Sequence, residues 1–490
     1  MTVSTGGKQP NILLIMSDEH AAEFSSIHGN RIVQTPTLDR LAADGVTFDN
    51  AYCTSPLCVP ARMSFMTGAY VHREEIWDNG VPLRSDAITW AHRLANAGYK
   101  TALSGKMHFI GPDQHHGFAD VLASDEVVCA KNIEVDFRWV DDVSPRPNSR
   151  ARFDAAGAGG GSHIDHDETV TRTCLDYLEQ QWEAQKSGTP AQPFVLCAGY
   201  NAPHFPLIAP DEFYSMYHPD TVDLPVAWDQ PMADLGPHQQ RLRKLFDLEG
   251  LTEEQVRRAR AAYFGLISWM DREAGKLIDK LEDTGLIDNT VVIYTADHGE
   301  MAGTHGLWWK SNFYEQSVHV PLVIRMPGAF QAGTRRHELI SHLDLTATLL
   351  DLAGLSNQMA PSSDNGEEKT TDGTSLRALI DAGQEGQVPW RDHLFSDYYA
   401  QASRNPMRMV RHGTHKLNIY HGECVELFDL AEDPDEMTNL ADDGAQSVIR
   451  RELENLAFAD WHPDDIARKV RRSQNERWVI NNGNRRKYVH

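Results

Sequence analysis

A chain of 490 residues, 41% hydrophobic and 24% charged, carries enough apolar material for one large core and a second, smaller domain. Its formal charge of -24 argues against nucleic acid or an anionic membrane surface as a principal partner, because both would repel so acidic a molecule. The six cysteines, at 53, 58, 129, 174, 197 and 424, show neither a disulfide framework nor a C-x-x-C zinc spacing, so a reducing compartment is expected.

The first ten residues are small and polar and lead into the apolar run 11–16. That run is too short for a signal segment or a membrane span, which predicts a cytoplasmic protein with no membrane partner. Runs 11–16, 100–104, 194–199, 291–296 and 321–325 read as strands and alternate with helical stretches. Helices are expected over 36–44, opened by Thr35-Pro36 and closed by Gly45, over 60–67, and over 86–97, closed by Gly98. A glycine-rich loop is expected over 155–162. A long helix runs from Leu251-Thr252-Glu253-Glu254, which reads as a capping box, to Thr284-Gly285.

The Ser/Asn/Glu/Pro-rich stretch 356–372 reads as a linker, after which the texture changes. Short strands over 393–399, 408–411 and 415–420 precede a turn at 429–434 and a helix near 445–458. The predicted fold class is α/β: a large, mostly parallel central sheet flanked by helices over 1–375, then a smaller α+β domain with an antiparallel sheet over 376–462. Residues 463–490 are basic on an acidic protein. By default such a run is a solvated tail; the sharper reading is an arm that packs on another subunit of a homo-oligomer.

In open α/β sheets ligands collect beyond the carboxyl ends of the strands. The first strand ends in Ser17-Asp18-Glu19-His20 and the run 291–296 in Asp297-His298-Gly299-Glu300, acids and an imidazole that suit a divalent cation. Lys106 and His108 follow the run 100–104, and a lysine there offers a compact positive charge to a developing anion. His204, in Asn201-Ala202-Pro203-His204, could protonate a leaving oxygen, and Lys310 in Gly306-Leu307-Trp308-Trp309-Lys310 adds a further cation. Each of these residues alone is more often structural. Their shared placement after strands or in glycine-bounded loops is what gives them weight.

Cys58 stands in Leu57-Cys58-Val59-Pro60-Ala61-Arg62, followed by Thr67-Gly68. A buried cysteine ahead of a helix with Pro60 in its first turn is the plain reading. With the strand-end residues beside it, the chain resembles the formylglycine sulfatases of the alkaline phosphatase superfamily. The resemblance also rests on Thr35 to Leu41, Gly98 to His108, Ala202-Pro203-His204, Gly306 to Lys310 and Asp372 to Leu376, and is strongest to choline sulfatases and their relatives.

The resemblance implies hydrolysis of an organic sulfate monoester by a formylglycine hydrate made from Cys58 by a formylglycine-generating enzyme. Asp18, Glu19, Asp297, His298 and residue 58 would hold one divalent metal: calcium first, with magnesium or manganese as alternatives. Arg62 and Lys106 would hold the hydrate, and Lys106 the sulfate as well. His108 would take the proton of the second hydroxyl, His204 and Lys310 would serve the leaving alcohol, and Asn79 would contact sulfate. Phosphonate monoester hydrolases, a sister group, supply the alternative activity. The compared enzymes usually carry Asp-Gln where this chain has Asp18-Glu19, and the stretch after His116 and the end after Pro463 depart from the choline enzymes.

Overall fold

Short runs that are apolar on both faces can only be buried between two helical layers, and here they build an eight-stranded sheet. The computed structural model describes residues 9–125, 143–146, 148–187, 192–326, 328, 332–355 and 371–485. In chain order the first strands are β1 (Asn11–Asp18), β2 (Val46–Tyr52), β3 (Lys100–Gly105), β4 (Asp120–Ala123), the two-residue β5 (Gly157–Ala158), β6 (Phe194–Pro203) and the two-residue β7 (Ile208–Ala209). Then come β8 (Thr290–Ala296), β9 (Leu322–Arg325), β10 (Thr334–Ser341) and the C-terminal β11 (His393–Tyr398), β12 (Met407–His412), β13 (His415–Tyr420) and β14 (Cys424–Asp429).

The large sheet runs in the order β10-β2-β9-β8-β1-β6-β3-β4, and β9 is antiparallel to both of its neighbours while the other pairs are parallel. Strand β1 lies near its middle. Its Ile12, Leu14 and Met16 enter one apolar cluster and its Leu13 and Ile15 the other, as period-2 alternation requires. The second face is covered by the helices Ser162–Lys186 and Glu253–Thr284. The latter opens on the expected capping box: Thr252 accepts from the Gln255 N–H, and Gln255 Oε1 accepts from the Thr252 N–H at 2.9 Å. The first face is covered by Cys58–Thr67, Trp90–Asn96 and His342–Leu352, and it continues without a break into Met409, Leu417 and Leu427 of the C-terminal antiparallel sheet, ordered β11-β12-β13-β14.

Several elements differ from expectation. Strand β2 carries Thr47, Asp49 and Asn50, and β10 carries Arg335, Arg336 and Glu338, so neither shows the apolar run of a central strand; both lie at one side of the sheet, where polar side chains reach solvent. The 25-residue helix Ser162–Lys186 begins where the glycine-rich loop ends and buries only one stripe, which a mostly polar sequence conceals. Most of the expected linker, 356–370, and the stretch 126–142 lie outside the described residues.

Within the basic terminal run, residues 463–485 form a helix, Pro463–Arg485, whose Ile466, Ala467, Val470, Gln474 and Arg477 are buried at helical spacing, and residues 486–490 lie outside the described residues. Arg477 Nη1 and Nη2 donate to Asp78 Oδ1 and Oδ2 at 2.7 and 2.6 Å, a fork-to-carboxylate pair that binds the end of this chain to residues close to Cys58.

Candidate active site

Strands β8, β1, β6 and β3 are neighbours and parallel, so the residues after their carboxyl ends meet in one place. Asp18 ends β1, Asp297 and His298 follow β8, Lys106 and His108 follow β3, and His204 follows β6. Residue 58 comes from a different direction, as the first residue of the helix Cys58–Thr67. That helix stops at Gly68, which is left-handed at φ 78 and donates its N–H to Ser64 O at 2.8 Å. Its residues 58–66 are all buried, so the position of Cys58 is fixed by packing on every side. Asn79 Oδ1 accepts from the Val59 N–H at 2.9 Å. Its carbonyl therefore caps the first turn of this helix, and the expected sulfate contact is left to its amide nitrogen.

Asp18, Cys58, Asp297 and His298 each offer an atom within 4.8 Å of the others, and all four are buried. His298 Nδ1 lies 3.0 Å from Gly299 O, a carbonyl that can only accept, so the proton belongs on Nδ1. The lone pair of Nε2 then faces Cys58 Sγ at 3.1 Å, Asp18 Oδ1 at 3.5 Å and Asp297 Oδ1 at 3.6 Å. Carboxylate oxygens and an imidazole lone pair converging on one point suit a cation, and oxygen-rich donors suit a hard divalent one. The residues present thus fit a metal.

Glu19 departs from the expected ligand set. Its φ of 69 turns it out of the line of β1, and its oxygens lie 3.0 Å from Lys310 Nζ and 3.2 Å from His204 Nε2. It joins only Asp18 and His204 in a second group of potential ligands. The left-handed backbone points successive side chains in different directions, so Glu19 stands apart from the Asp18, Cys58, Asp297 and His298 group while still lying within ligand distance of Asp18. Burial, with Glu300 beside it, holds the Glu19 carboxyl well above its usual range despite Lys310. Burial also pushes Glu300 up to about 7.

Cations surround residue 58. Arg62 donates from Nε to Asp297 Oδ2 and from Nη1 to Lys106 O, both at 2.7 Å, and is entirely buried. Lys106 Nζ is paired with Asp18 Oδ2. Burial works against the charge of Lys106 and Lys310, but neighbouring acids, Asp18 at Lys106 and Glu19 and Asp18 at Lys310, favour the charged forms, and both lysines are held above their ordinary range. Burial pulls His108 and His204 well below the usual imidazole range, assisted by Lys106 and by Lys310 respectively. Both are neutral at pH 7, and His108 Nδ1 is buried with no hydrogen-bond partner among the described residues, placed to accept a proton. The Cys58 thiol itself is pushed up to about 12, first by burial and then by Asp18. An unmodified thiol here is a poor nucleophile near neutral pH.

Trp308, Trp309, Tyr398 and Tyr399 are buried among neighbouring rings and polar groups. Trp309 stacks on Phe205 at 4.3 Å and lies 4.5 Å from Phe246, Trp308 meets Phe153 edge-on, and Tyr399 OH accepts from Trp461 Nε1. Tyr398 donates to Gln401 O, and Trp139 lies outside the described residues. Sequence reasoning missed Glu300, although it stands in the quoted Asp-His-Gly-Glu run; it accepts from the Trp309 N–H at 2.6 Å and so fixes the backbone ahead of Lys310. It also missed the Asp78–Arg477 pair, for which no local signal exists.

A family model described as Sulfatase matches residues 10–355, and one described as N-sulphoglucosamine sulphohydrolase, C-terminal, matches residues 303–459. The chain is similar to a choline-sulfatase of Rhizobium meliloti (strain 1021), 36% identical over 491 residues that cover 97% of this chain and 91% of that protein. It is 28% identical to an arylsulfatase of Clostridium perfringens (strain 13 / Type A), over 91% of this chain and 95% of that one. Its fold is similar to that of a phosphonate monoester hydrolase of Agrobacterium radiobacter, with TM-score 0.73 and 23% identity over 92% of this chain and 95% of that chain.

Proposed function

Because the chain belongs to the sulfatase family, we propose that it hydrolyses an organic sulfate monoester to an alcohol and inorganic sulfate with residue 58 working as a formylglycine hydrate. The observation that carries this reading is the convergence of Cys58 with Asp18, Asp297 and His298, backed by Arg62 and Lys106. In the hydrate both hydroxyls would be carried on Cβ of residue 58, one of them near the position of Cys58 Sγ. A divalent cation held by Asp18, Asp297, His298 and residue 58, calcium first among the candidates, supplies acidification of the attacking hydroxyl and charge for the sulfate oxygens.

One hydroxyl attacks sulfur as the bond to the alcohol oxygen breaks, and the departing oxygen is served by His204 and Lys310. Lys106, held charged in a buried site, stabilises the negative charge on the sulfuryl oxygens. Neutral His108 then takes the proton of the second hydroxyl, the carbon–oxygen bond to sulfate breaks, and aldehyde and sulfate are formed. Water restores the hydrate.

Cys58 is only 2% exposed and is surrounded by packed residues, so its conversion by a formylglycine-generating enzyme has to precede burial of the segment. Among the described residues no helix is long and apolar enough to cross a membrane, and a cytoplasmic location remains part of this reading. So does a homo-oligomer, which molar mass in solution tests. The similarity at 36% identity makes choline sulfate the first ester to assay.

The deciding experiment is mass analysis of the peptide spanning Cys58 in active protein, together with rates on matched aryl sulfate and phosphonate esters. The aldehyde mass and faster sulfate cleavage are expected. A retained thiol in the active fraction refutes the nucleophile, and a clear preference for phosphorus replaces the reaction with phosphonate ester hydrolysis.

A further inference from the structure

Two buried acids outside the metal cluster grip the backbone beside the two catalytic histidines. Asp167, on the helix Ser162–Lys186, is wholly buried. Both of its oxygens accept from the Asn201 N–H at 2.9 Å, and Oδ2 also accepts from the Ala202 N–H at 2.8 Å. Those amides immediately precede Pro203-His204. Asp125, just after β4, accepts on Oδ2 from the N–H of His108 itself at 2.8 Å. His108 has φ 62, a left-handed conformation that costs a side-chain-bearing residue about 1–2 kcal/mol and persists only where the surroundings impose it.

His166 joins the two acids. Its Nε2 donates to Ser124 O at 2.9 Å, beside Asp125, while its Nδ1 lies 3.0 Å from Asp167 Oδ1 and 3.0 Å from Asn201 Nδ2. One short network thus reaches from the residue that precedes Asp125 to the turn that carries His204. A carboxylate accepting several buried N–H groups is stiff, because each lost bond leaves a desolvated donor. Satisfying buried amides would by itself be a structural role. What distinguishes this network is where its bonds end: one on His108 itself and the others on the two amides just ahead of Pro203-His204, so that it reaches the segments of two histidines assigned to different chemical steps.

We propose that Asp167 is the positioning residue for His204 in sulfuryl transfer, that Asp125 is the positioning residue for His108 in release of sulfate, and that His166 braces one against the other. The inference rests on the reading in which His204 serves the leaving alcohol and His108 deprotonates the hemiacetal sulfate. It separates two kinetic signatures. A displaced His204 matters most when the alcohol is a poor leaving group, whereas a displaced His108 acts after the alcohol has gone and is blind to it.

The test uses the full-length, formylglycine-bearing, metal-loaded enzyme and a series of aryl and alkyl sulfates whose alcohols span a wide pKa range. Asp167→Asn is expected to lower kcat/KM by about 10²-fold on alkyl esters and by less than about threefold on the most acidic phenol, steepening the leaving-group dependence in the same sense as His204→Ala. Asp125→Asn is expected to leave that dependence unchanged, to lower kcat, and to give a burst of phenol with sulfated enzyme visible by intact mass. Equal losses across the series for Asp167→Asn, or no burst for Asp125→Asn, overturn the assignments. If His204→Ala itself leaves the dependence unchanged, the leaving-group role falls and takes the Asp167 assignment with it. If His204→Ala steepens it and Asp167→Asn does not, the positioning role alone falls. Should Asp167→Asn fail to fold, His166→Gln, which keeps the carboxylate and its amides, must show the same steepening in weaker form; an unchanged slope there overturns the brace.

Discussion

Replacing Arg477 with methionine removes the link between the C-terminal helix and the catalytic domain while preserving much of the side-chain volume. Arg477 and Asp78 are both buried, and two charge-assisted bonds of 2.7 and 2.6 Å join them. Without the guanidinium, the buried Asp78 carboxylate still accepts from the Gly80 N–H at 2.9 Å. Breaking one side of such a pair costs about 3–5 kcal/mol, chiefly through the stranded charge. Ile466, Ala467 and Val470 still bury the first half of the helix, whereas Val479 and Ile480 beyond Arg477 are exposed and add little apolar burial to the second half. The loss should therefore appear as local opening of that half, with amide exchange faster by roughly 10²- to 10³-fold and the first half much less affected. Asn79, next to Asp78, caps the amide adjacent to residue 58, so kcat/KM should fall by about fivefold, the worth of one hydrogen bond of ~1 kcal/mol. Hydrogen exchange read by mass spectrometry, with turnover on the same sample, is the assay. Unchanged exchange across residues 474–485 refutes the anchoring argument, as does a double variant Asp78→Asn/Arg477→Met that recovers none of the loss.

Lys416 is buried between Glu315 and Glu436, at 2.8 and 2.6 Å, and one ammonium can compensate only one of them. Against the upward push of burial, Lys416 holds Glu315 down at about 2, while burial and the Glu315 charge raise Glu436 to about 7. A carboxyl raised on folding stabilises below its unfolded value near 4.5 and loses that contribution as pH climbs through 7. Glu436→Gln should therefore gain on the wild type by about 2–3 kcal/mol between pH 4.5 and 7, read as diverging unfolding midpoints; a pH-independent difference refutes it. A Cβ on Gly199 would overlap the Lys106 carbonyl, so Gly199→Ala should reduce turnover at least tenfold, about 1.4 kcal/mol or more, and an active variant with normal kcat would show that β6 does not seat Lys106. Stripping divalent ions should abolish turnover and lower thermal stability, because the buried Asp18 and Asp297 then keep only Lys106 and Arg62 to offset their mutual repulsion; separate restoration with calcium, magnesium and manganese identifies the metal, and full turnover in protein shown metal-free by elemental analysis refutes the site.

The sequence by itself determined the chemistry and most of the scaffold. Cys58-x-Pro-x-Arg62, the acids after the runs 11–16 and 291–296, and the Lys106, His108, His204 and Lys310 loops were all legible, because strand ends and loop residues keep their chemical character whatever packs around them. The long helix to Thr284 and three of the four C-terminal strands were legible for the same local reason: caps, glycine stops and periodicity operate within a few residues. Tertiary structure alone decided how the two adjacent acids are oriented. Asp18 and Glu19 are neighbours in sequence, yet the left-handed turn at Glu19 sends one carboxylate to Cys58 and His298 and the other to Lys310 and His204. It also decided that a basic C-terminal run is a helix anchored at Asp78, and that Asp125 and Asp167 grip the histidine loops. Those pairings join residues distant in sequence through single directional bonds, and a bond of that kind leaves no periodic trace along the chain.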